Sequence, residues 1–132
     1  MSAAADKIVY EYCMLRFVPD LERGEFVNVG LLMMCKRRRW MRAALRIDRE
    51  RILALAPRAD VDTLATQLQL FIRNDVPARD LPVEERFRWL AAVKSAVIQT
   101  SPAHPGILIP SDSADATRAL DTCFEQLFER LV

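Results

Sequence analysis

The N-terminal part of the chain alternates short apolar runs with clusters of turn-forming residues. Residues 8 to 18, IVYEYCMLRFV, are rich in β-branched and aromatic side chains and end at the turn-forming pair Pro19 and Asp20. A second apolar run covers residues 25 to 35, and residues 40 to 47 alternate with a period of two. These patterns predict three strands. Their short links predict an antiparallel meander, because a parallel return needs a crossover of about a dozen residues or more.

From Asp48 onward the apolar positions change to helical spacing. Asp48 is the predicted N-cap of a helix over residues 49 to 56, and Asp60 is the predicted N-cap of a longer helix that follows it. A third helix is predicted from Pro82 through Val97, with the proline in its first turn. The centre of the chain is therefore expected to supply helices that cover the sheet.

The C-terminal part of the chain predicts an edge element and then the most regular helix. The segment SPAHPGILIPSD contains three prolines around a short apolar run, which favours an edge strand or an extended loop. Apolar side chains from Leu120 to Leu131 form one stripe of a helix that Asp112 or Ser113 can cap. The elements together predict an α+β fold in a single domain over residues 1 to 132. An antiparallel meander of three to four strands packs against three to four helices as a single layer pair, and residues 1 to 6 are expected to be disordered.

The hairpin loops allow an estimate of how the strands pair. Pairing across the first loop places Arg16 opposite Asn28 and Met14 opposite Gly30. A second hairpin, closed by KRRR, pairs Cys35 with Trp40. A slip of one residue would exchange the two faces of a strand.

This register places apolar side chains on both faces of the sheet. The expected core face carries Tyr10, Tyr12, Met14, Leu32, Met34, Met41, Ala43 and Leu45. The other face carries Val9, Cys13, Leu15, Phe17, Val27, Val29, Leu31, Met33 and Cys35. Soluble monomers rarely expose an apolar patch larger than a few hundred Å². The second face therefore needs a cover, which is either the chain's own helices or another chain.

Composition narrows the classes of function. Nineteen basic and eighteen acidic residues give a formal net charge of +1, so no global field attracts nucleic acid or an anionic membrane. No apolar run approaches the roughly 20 residues that span a bilayer, and the N-terminus lacks the pattern of a secretion signal, so we expect a cytoplasmic protein. The three cysteines include no CxxC pair. They predict buried free thiols, with no disulfide, no metal site and no cofactor.

Three polar residues near the first hairpin form the main candidate pocket: Arg16, Glu25 and Asn28. One interpretation is an internal polar network that fixes the hairpin. The other is a small pocket that binds a ligand or a partner's backbone, and an enzyme built around these three residues is the furthest extension of it. Gly30, in mid-strand, predicts a bulge or a close approach, with the ring of Tyr12 over the gap.

The strongest local charge cluster gives a second candidate, a polyanion contact. It comprises Lys36, Arg37, Arg38 and Arg39, extended along the third strand by Arg42 and Arg46. A solvated hairpin turn that blunts a sheet edge explains the same residues. In the functional interpretation they bind phosphates, and Trp40 stacks on a base.

The stretches YCMLRFVPD and RGEFVNVGLLM together resemble the bacterial family catalogued as domain of unknown function 3037. The matching positions are Arg16, Pro19, Asp20, Glu25, Asn28 and Gly30. The resemblance implies no catalytic or cofactor residue. It implies an accessory role beside a kinase-like protein of the HipA type.

No residue set in the chain specifies a reaction, so we expect a non-enzymatic interaction or accessory protein. It would self-associate, as a homodimer, or bind a protein partner through an apolar sheet face. The alternative is a nucleic-acid or phosphate-binding module that uses the basic hairpin.

Overall fold

The sheet and its helices follow one another along the chain much as the hydrophobic pattern predicts. The computed structural model describes residues 7–73, 80–92, 95–110 and 115–132. The elements in these ranges are β1 (Ile8–Phe17), β2 (Val27–Cys35), β3 (Trp40–Leu45), α1 (Arg49–Leu55), α2 (Val61–Ile72), α3 (Val83–Ala91), β4 (Ile98–Thr100), β5 (His104–Leu108) and α4 (Ala116–Leu131). The predicted α+β class is confirmed. Residues 1 to 6 and the proposed caps Asp112 and Ser113 lie outside the described residues.

The strands form one antiparallel sheet with β1 near its centre. Its order is β3-β2-β1-β4, and β5 also pairs with β1. β4 pairs with the C-terminal end of β1, and β5 with its N-terminal part, so the two short strands follow each other along one edge. The predicted edge strand is therefore present as β5. The sheet has five strands where three to four were expected, because β4 lies directly after the predicted third helix, in residues to which no element was assigned.

A bulge sets the register of the first hairpin. Arg16 lies opposite Asn28, as predicted, but Gly30 lies opposite Leu15 and not opposite Met14. The register shifts between Leu15 and Arg16, which leaves Val29 as an extra residue on β2. The second hairpin pairs Cys35 with Trp40, and this prediction is confirmed.

The bulge changes which side chains share a face. The predicted grouping of Tyr12 and Met14 with Leu32 is wrong, because one extra residue reverses the phase of β1 relative to most of β2. Cys13, Leu15 and Phe17 pack with Leu32 and Met34 under α1, α2 and α3. Tyr10, Tyr12 and Met14 pack with Leu31, Met33 and Cys35 under α4. Helices cover the sheet on both sides, so the expected single layer pair is replaced by three layers.

The starts of α1 and α2 agree with the capping signals, whereas the end of α3 does not. The Asp48 carboxylate accepts from Arg51 N at 3.1 Å, and the Asp60 carboxylate accepts from Thr63 N at 3.0 Å. α3 ends at Ala91 and does not reach Val97. The Val97 carbonyl instead accepts from Val18 N at 2.7 Å and begins the sheet contact that β4 continues.

Two glycines make room for side chains from neighbouring strands. A Cβ atom on Gly30 would lie 2.9 Å from the side chains of Leu15 and Leu45, so Tyr12 is not the residue over this gap. The tyrosine that covers a glycine is Tyr10, whose ring would overlap a Cβ atom on Gly106. Burial, followed by the contact with Cys123, raises the pKa of Tyr10 to about 12. The Tyr10 ring therefore fixes β5 against β1.

We expect Gly106→Ala to lower the free energy of unfolding by about 1–2 kcal/mol, because the added methyl group displaces the Tyr10 ring from its packed position. Urea unfolding measures this change. In a Tyr10→Ala background the same substitution should be close to neutral, since nothing then occupies the space over Gly106. An equal loss in both backgrounds would contradict the assignment.

Candidate functional site

The mouth of the first hairpin forms a cleft against the end of α1. The loop after β1 turns at Asp20, whose carboxylate accepts a hydrogen bond from Glu22 N at 3.0 Å. The turn ends at Gly24, which has a φ of 71° and donates its N–H to the Asp20 carbonyl. The cleft between this loop and the end of α1 has a volume of about 690 Å³. It is lined by Phe17, Pro19, Asp20, Arg23, Glu25, Ala54, Leu55, Ala56, Pro57, Arg58, Ala59 and Val97.

The predicted pocket residues Arg16, Glu25 and Asn28 do not meet in this cleft. Glu25 lines it and pairs with the Arg23 guanidinium at 2.6 Å. Arg16 and Asn28 are cross-strand neighbours on the other face of the sheet. There Asn28 Nδ2 donates to the Leu131 carbonyl at 3.0 Å. The three residues therefore do not form one catalytic constellation.

Arg16 and Asn28 are register partners, but no hydrogen bond joins them in the part of the chain that the structure describes. Arg16 Nε and Asn28 Oδ1 are both buried and lack a hydrogen-bond partner among the described residues. The Arg16 guanidinium stacks on the Phe26 ring at 4.1 Å. Asn28 thus ties the end of α4 to the sheet, while Arg16 packs against an aromatic ring at the sheet's end.

The basic cluster divides into an exposed part and a paired part. Lys36, Arg37, Arg38 and Arg39 are all exposed in the turn between β2 and β3, and Arg39 has a positive φ of 50°. Arg42 and Arg46 instead extend over α4. Trp40, which was expected to be available for stacking, donates its Nε1 to the Asp121 carboxylate at 3.2 Å.

Acidic and aromatic residues of α4 hold Arg42, in β3, and Arg46, directly after β3. Arg42 Nη1 lies 3.5 Å from Asp121 and 3.4 Å from Glu125, and its guanidinium is 4.7 Å from the centre of the Phe124 ring. Arg46 repeats the arrangement one turn further along, with Glu129 at 3.2 Å and the Phe128 ring at 4.7 Å. These contacts neutralise both charges and bind α4 to β3, so the two arginines add little to a polyanion surface.

The nucleophilic and metal-binding side chains are dispersed or buried. Cys13, Cys35 and Cys123 are free and buried, as predicted, and burial raises the pKa of the Cys13 thiol to about 12. No group of three or more metal-binding side chains occurs in the described ranges. The ring of His104 packs against Tyr12 in a tilted arrangement, with 5.4 Å between the ring centres.

We expect the three thiols to be unreactive in the folded chain, because they are buried and Cys13 carries almost no thiolate at neutral pH. A colorimetric disulfide reagent should release almost no chromophore from native protein and three equivalents from unfolded protein. Rapid reaction of one thiol in the native state would contradict this prediction.

The outer edge of β5 is a candidate site that the sequence argument did not identify. Met14 N donates to the Ser101 hydroxyl, and the Met14 carbonyl accepts from Ser101 N. Val18 N donates to the Val97 carbonyl, so even-numbered residues of β1 direct their backbone groups toward β4 and β5. In the β5 ladder, Ile8, Tyr10 and Tyr12 therefore form the hydrogen-bonded pairs with Leu108, Gly106 and His104. Pro105, Ile107 and Ile109 direct their backbone groups outward, where no strand among the described residues pairs with them.

An apolar corner accompanies this unpaired edge. Val9 and Ile107 are register partners, and 58% and 59% of their surfaces are exposed, while Ile109 is 66% exposed. They lie on the α1–α3 face, since their neighbours Ile8 and Leu108 pack under α4. The sequence signal was the alternation in GILIP next to the prolines, which predicted an edge strand but not its exposed partner Val9.

One comparison with known proteins identifies the chain. The family model described as protein of unknown function (DUF3037) matches residues 12–132. The chain belongs to this family. For this DUF3037 member, no curated protein and no solved structure gives a significant match. None of its described helices is long and apolar enough to cross a membrane.

Proposed function

We propose that this DUF3037 protein is a non-enzymatic interaction protein that binds an extended strand along the outer edge of β5. The observation that carries the proposal is the outward direction of the backbone groups of Ile107 and Ile109, beside exposed apolar side chains. An unpaired edge of this kind is a template for strand addition, in which main-chain hydrogen bonds give affinity and alternate side chains give specificity.

The position of the helices changes the expectation that a whole apolar sheet face binds a partner. Helices of the chain itself cover most of both faces, and the uncovered part is the corner formed by Val9, Ile107 and Ile109. The separation of Glu25 from Arg16 and Asn28 supports a non-enzymatic role, because a reaction needs converging groups. A kinase-like neighbour of the HipA type is one candidate partner for this edge.

A strand-donor peptide tests the proposal directly. The probe is AHPGILIP, which copies residues 103 to 110, titrated into isotope-labelled protein while the backbone amide signals are followed by NMR. We expect saturable shifts at Ile107 and Ile109, since their N–H groups would gain carbonyl partners. A control peptide with proline at the position of Ile107 loses the central donor and should bind more weakly. The proposal is overturned if the peptide shifts other regions and leaves these amides unchanged.

The alternative function, nucleic-acid or phosphate binding, is supported by the exposure of Lys36, Arg37, Arg38 and Arg39. The carboxylates around Arg42 and Arg46 weigh against it. If this function holds, replacing Arg37, Arg38 and Arg39 with Ser should flatten the salt dependence of RNA or DNA binding by about one unit for each lost phosphate contact. Absence of binding by the parent protein at low salt would exclude the alternative.

A further inference from the structure

The hydrogen-bonding groups on the outer edge of β5 are self-complementary. Ile107 presents both an N–H and a carbonyl, Ile109 presents the same pair, and Pro105 presents a carbonyl without an N–H. In an antiparallel pair of two such edges, Ile107 can exchange both bonds with Ile107 of a second copy. Ile109 can donate to the carbonyl of Pro105 in that copy. Because Pro105 has no N–H, one hydrogen bond is missing at each end of the pairing. The central pair between the two copies of Ile107 keeps both of its bonds.

The side chains support the same arrangement. With Ile107 on the two-fold axis, Val9 and Ile107 of one copy continue into Ile107 and Val9 of the other as one apolar row across four strands. On the same face, Ile109 of one copy comes to lie beside Pro105 of the other. On the opposite face, Leu108 of one copy meets Gly106 of the other, where the Tyr10 ring lies.

The alignment of the exposed apolar side chains favours this register over its neighbour. Placing Ile107 on the axis pairs the whole stretch from Pro105 to Ile109 with the same stretch of the second copy. Moving the axis to Leu108 pairs Gly106 through Pro110 within the described residues and places Ile107 beside Ile109 of the second copy. Of these two registers, only the one with Ile107 on the axis joins the exposed Val9 and Ile107 side chains of both copies into one row.

We infer that the strand bound at the β5 edge is β5 of a second copy of the chain, paired antiparallel about a two-fold axis through Ile107. This inference rests on the proposed use of the β5 edge and names its partner. Two sheets join into one continuous sheet across the dimer. Such an interface is isologous, since each copy contributes the same surface.

Cysteine crosslinking tests the register. In a hydrogen-bonded antiparallel pair the Cα atoms lie about 5.5 Å apart, which is within the range that a disulfide bridges. Ile107→Cys should therefore form a disulfide-linked dimer under mild oxidation, and the buried native cysteines should not compete. Ile109→Cys is the matched control. Residue 109 of one copy would be offset from residue 109 of the other by four residues along the strands, roughly 14 Å at ~3.4 Å per residue. The Ile109→Cys chain should therefore not crosslink with itself.

Light scattering after size exclusion gives a second, independent measurement. We expect the parent chain to reach twice the mass of one chain as concentration rises, and Ile107→Lys to remain monomeric because a charge blocks edge pairing. Leu21→Lys, at a side chain that is 57% exposed in the first hairpin loop, should dimerise like the parent. A parent that stays monomeric, or self-crosslinking of Ile109→Cys in place of Ile107→Cys, overturns the inference. If the chain is monomeric but still binds the strand peptide, the inference of a dimer is wrong and the proposed function is kept. If the chain neither dimerises nor binds the peptide, the inference and the proposed function are both wrong.

Discussion

Replacing Phe124 with alanine should lower the free energy of unfolding by about 3–5 kcal/mol, the usual cost of removing a large aromatic side chain from a core. Phe124 is 1% exposed and lies at the centre of the layer between α4 and the sheet. Its ring meets the Trp40 ring edge-on, with 6.4 Å between the ring centres, and stacks on the Phe128 ring, with 6.2 Å between the ring centres. It also carries the Arg42 guanidinium, so the substitution removes apolar contacts and a cation–π contact together.

Urea unfolding of the Phe124→Ala chain measures this loss, and two further variants separate its causes. Phe124→Leu keeps most of the apolar volume and should lose less than the alanine variant. Gln126→Ala changes an exposed residue of the same helix and should stay within about 0.5 kcal/mol of the parent. If Phe124→Ala were as mild as Gln126→Ala, α4 would not be packed on the sheet and the second face would again need another cover.

The pattern of the sequence predicted the elements well because each pattern is local. Period-two alternation and turn residues located β1, β2 and β3, and the carboxylates of Asp48 and Asp60 marked helix starts that the structure confirms. The end of α3 was misjudged because Val97 continues a helical spacing. The Ser95 hydroxyl, which accepts from Val97 N at 3.2 Å, forms a turn there instead.

It was harder to predict which side chains of neighbouring strands share a face of the sheet. Alternation shows which residues of one strand point to the same side, but it does not show which residues of the next strand join them there. Gly30 indicated a bulge, and the register shift beside it confirms that prediction. Its effect on the faces could be assigned only once the extra residue was known to be Val29. A single inserted residue moved Tyr10, Tyr12 and Met14 under α4.

The candidate site depended on contacts that are distant in sequence. Arg42 and Glu125 are separated by 83 positions, so no local pattern could show that the basic strand faces an acidic helix. The same holds for Asn28 and Leu131, which are separated by 103 positions. The β5 edge was partly predictable from its prolines, whereas its unpaired backbone groups follow from the ladder with β1.

Gly30→Val should lower the free energy of unfolding by about 3 kcal/mol, although valine is among the residues that strands prefer. Strand propensity alone therefore predicts the opposite sign. A Cβ at this position would lie 2.9 Å from the side chains of Leu15 and Leu45 and 3.0 Å from the Ala44 carbonyl. The two leucine side chains can move, but the carbonyl belongs to the β2–β3 ladder and cannot move without opening it.

A graded series of variants makes this second stability test decisive, again by urea unfolding. Gly30→Ala adds only the Cβ atom and should cost less than Gly30→Val, about 1–2 kcal/mol. Combining Gly30→Ala with Leu45→Ala removes one of the crowded side chains, so the pair should cost less than the sum of the single variants. Additive losses, or a Gly30→Val chain as stable as the parent, would show that the bulge is open. Val29 would then lack the constraint that holds β1 and β2 in this register, and the three-layer arrangement of the core depends on that register.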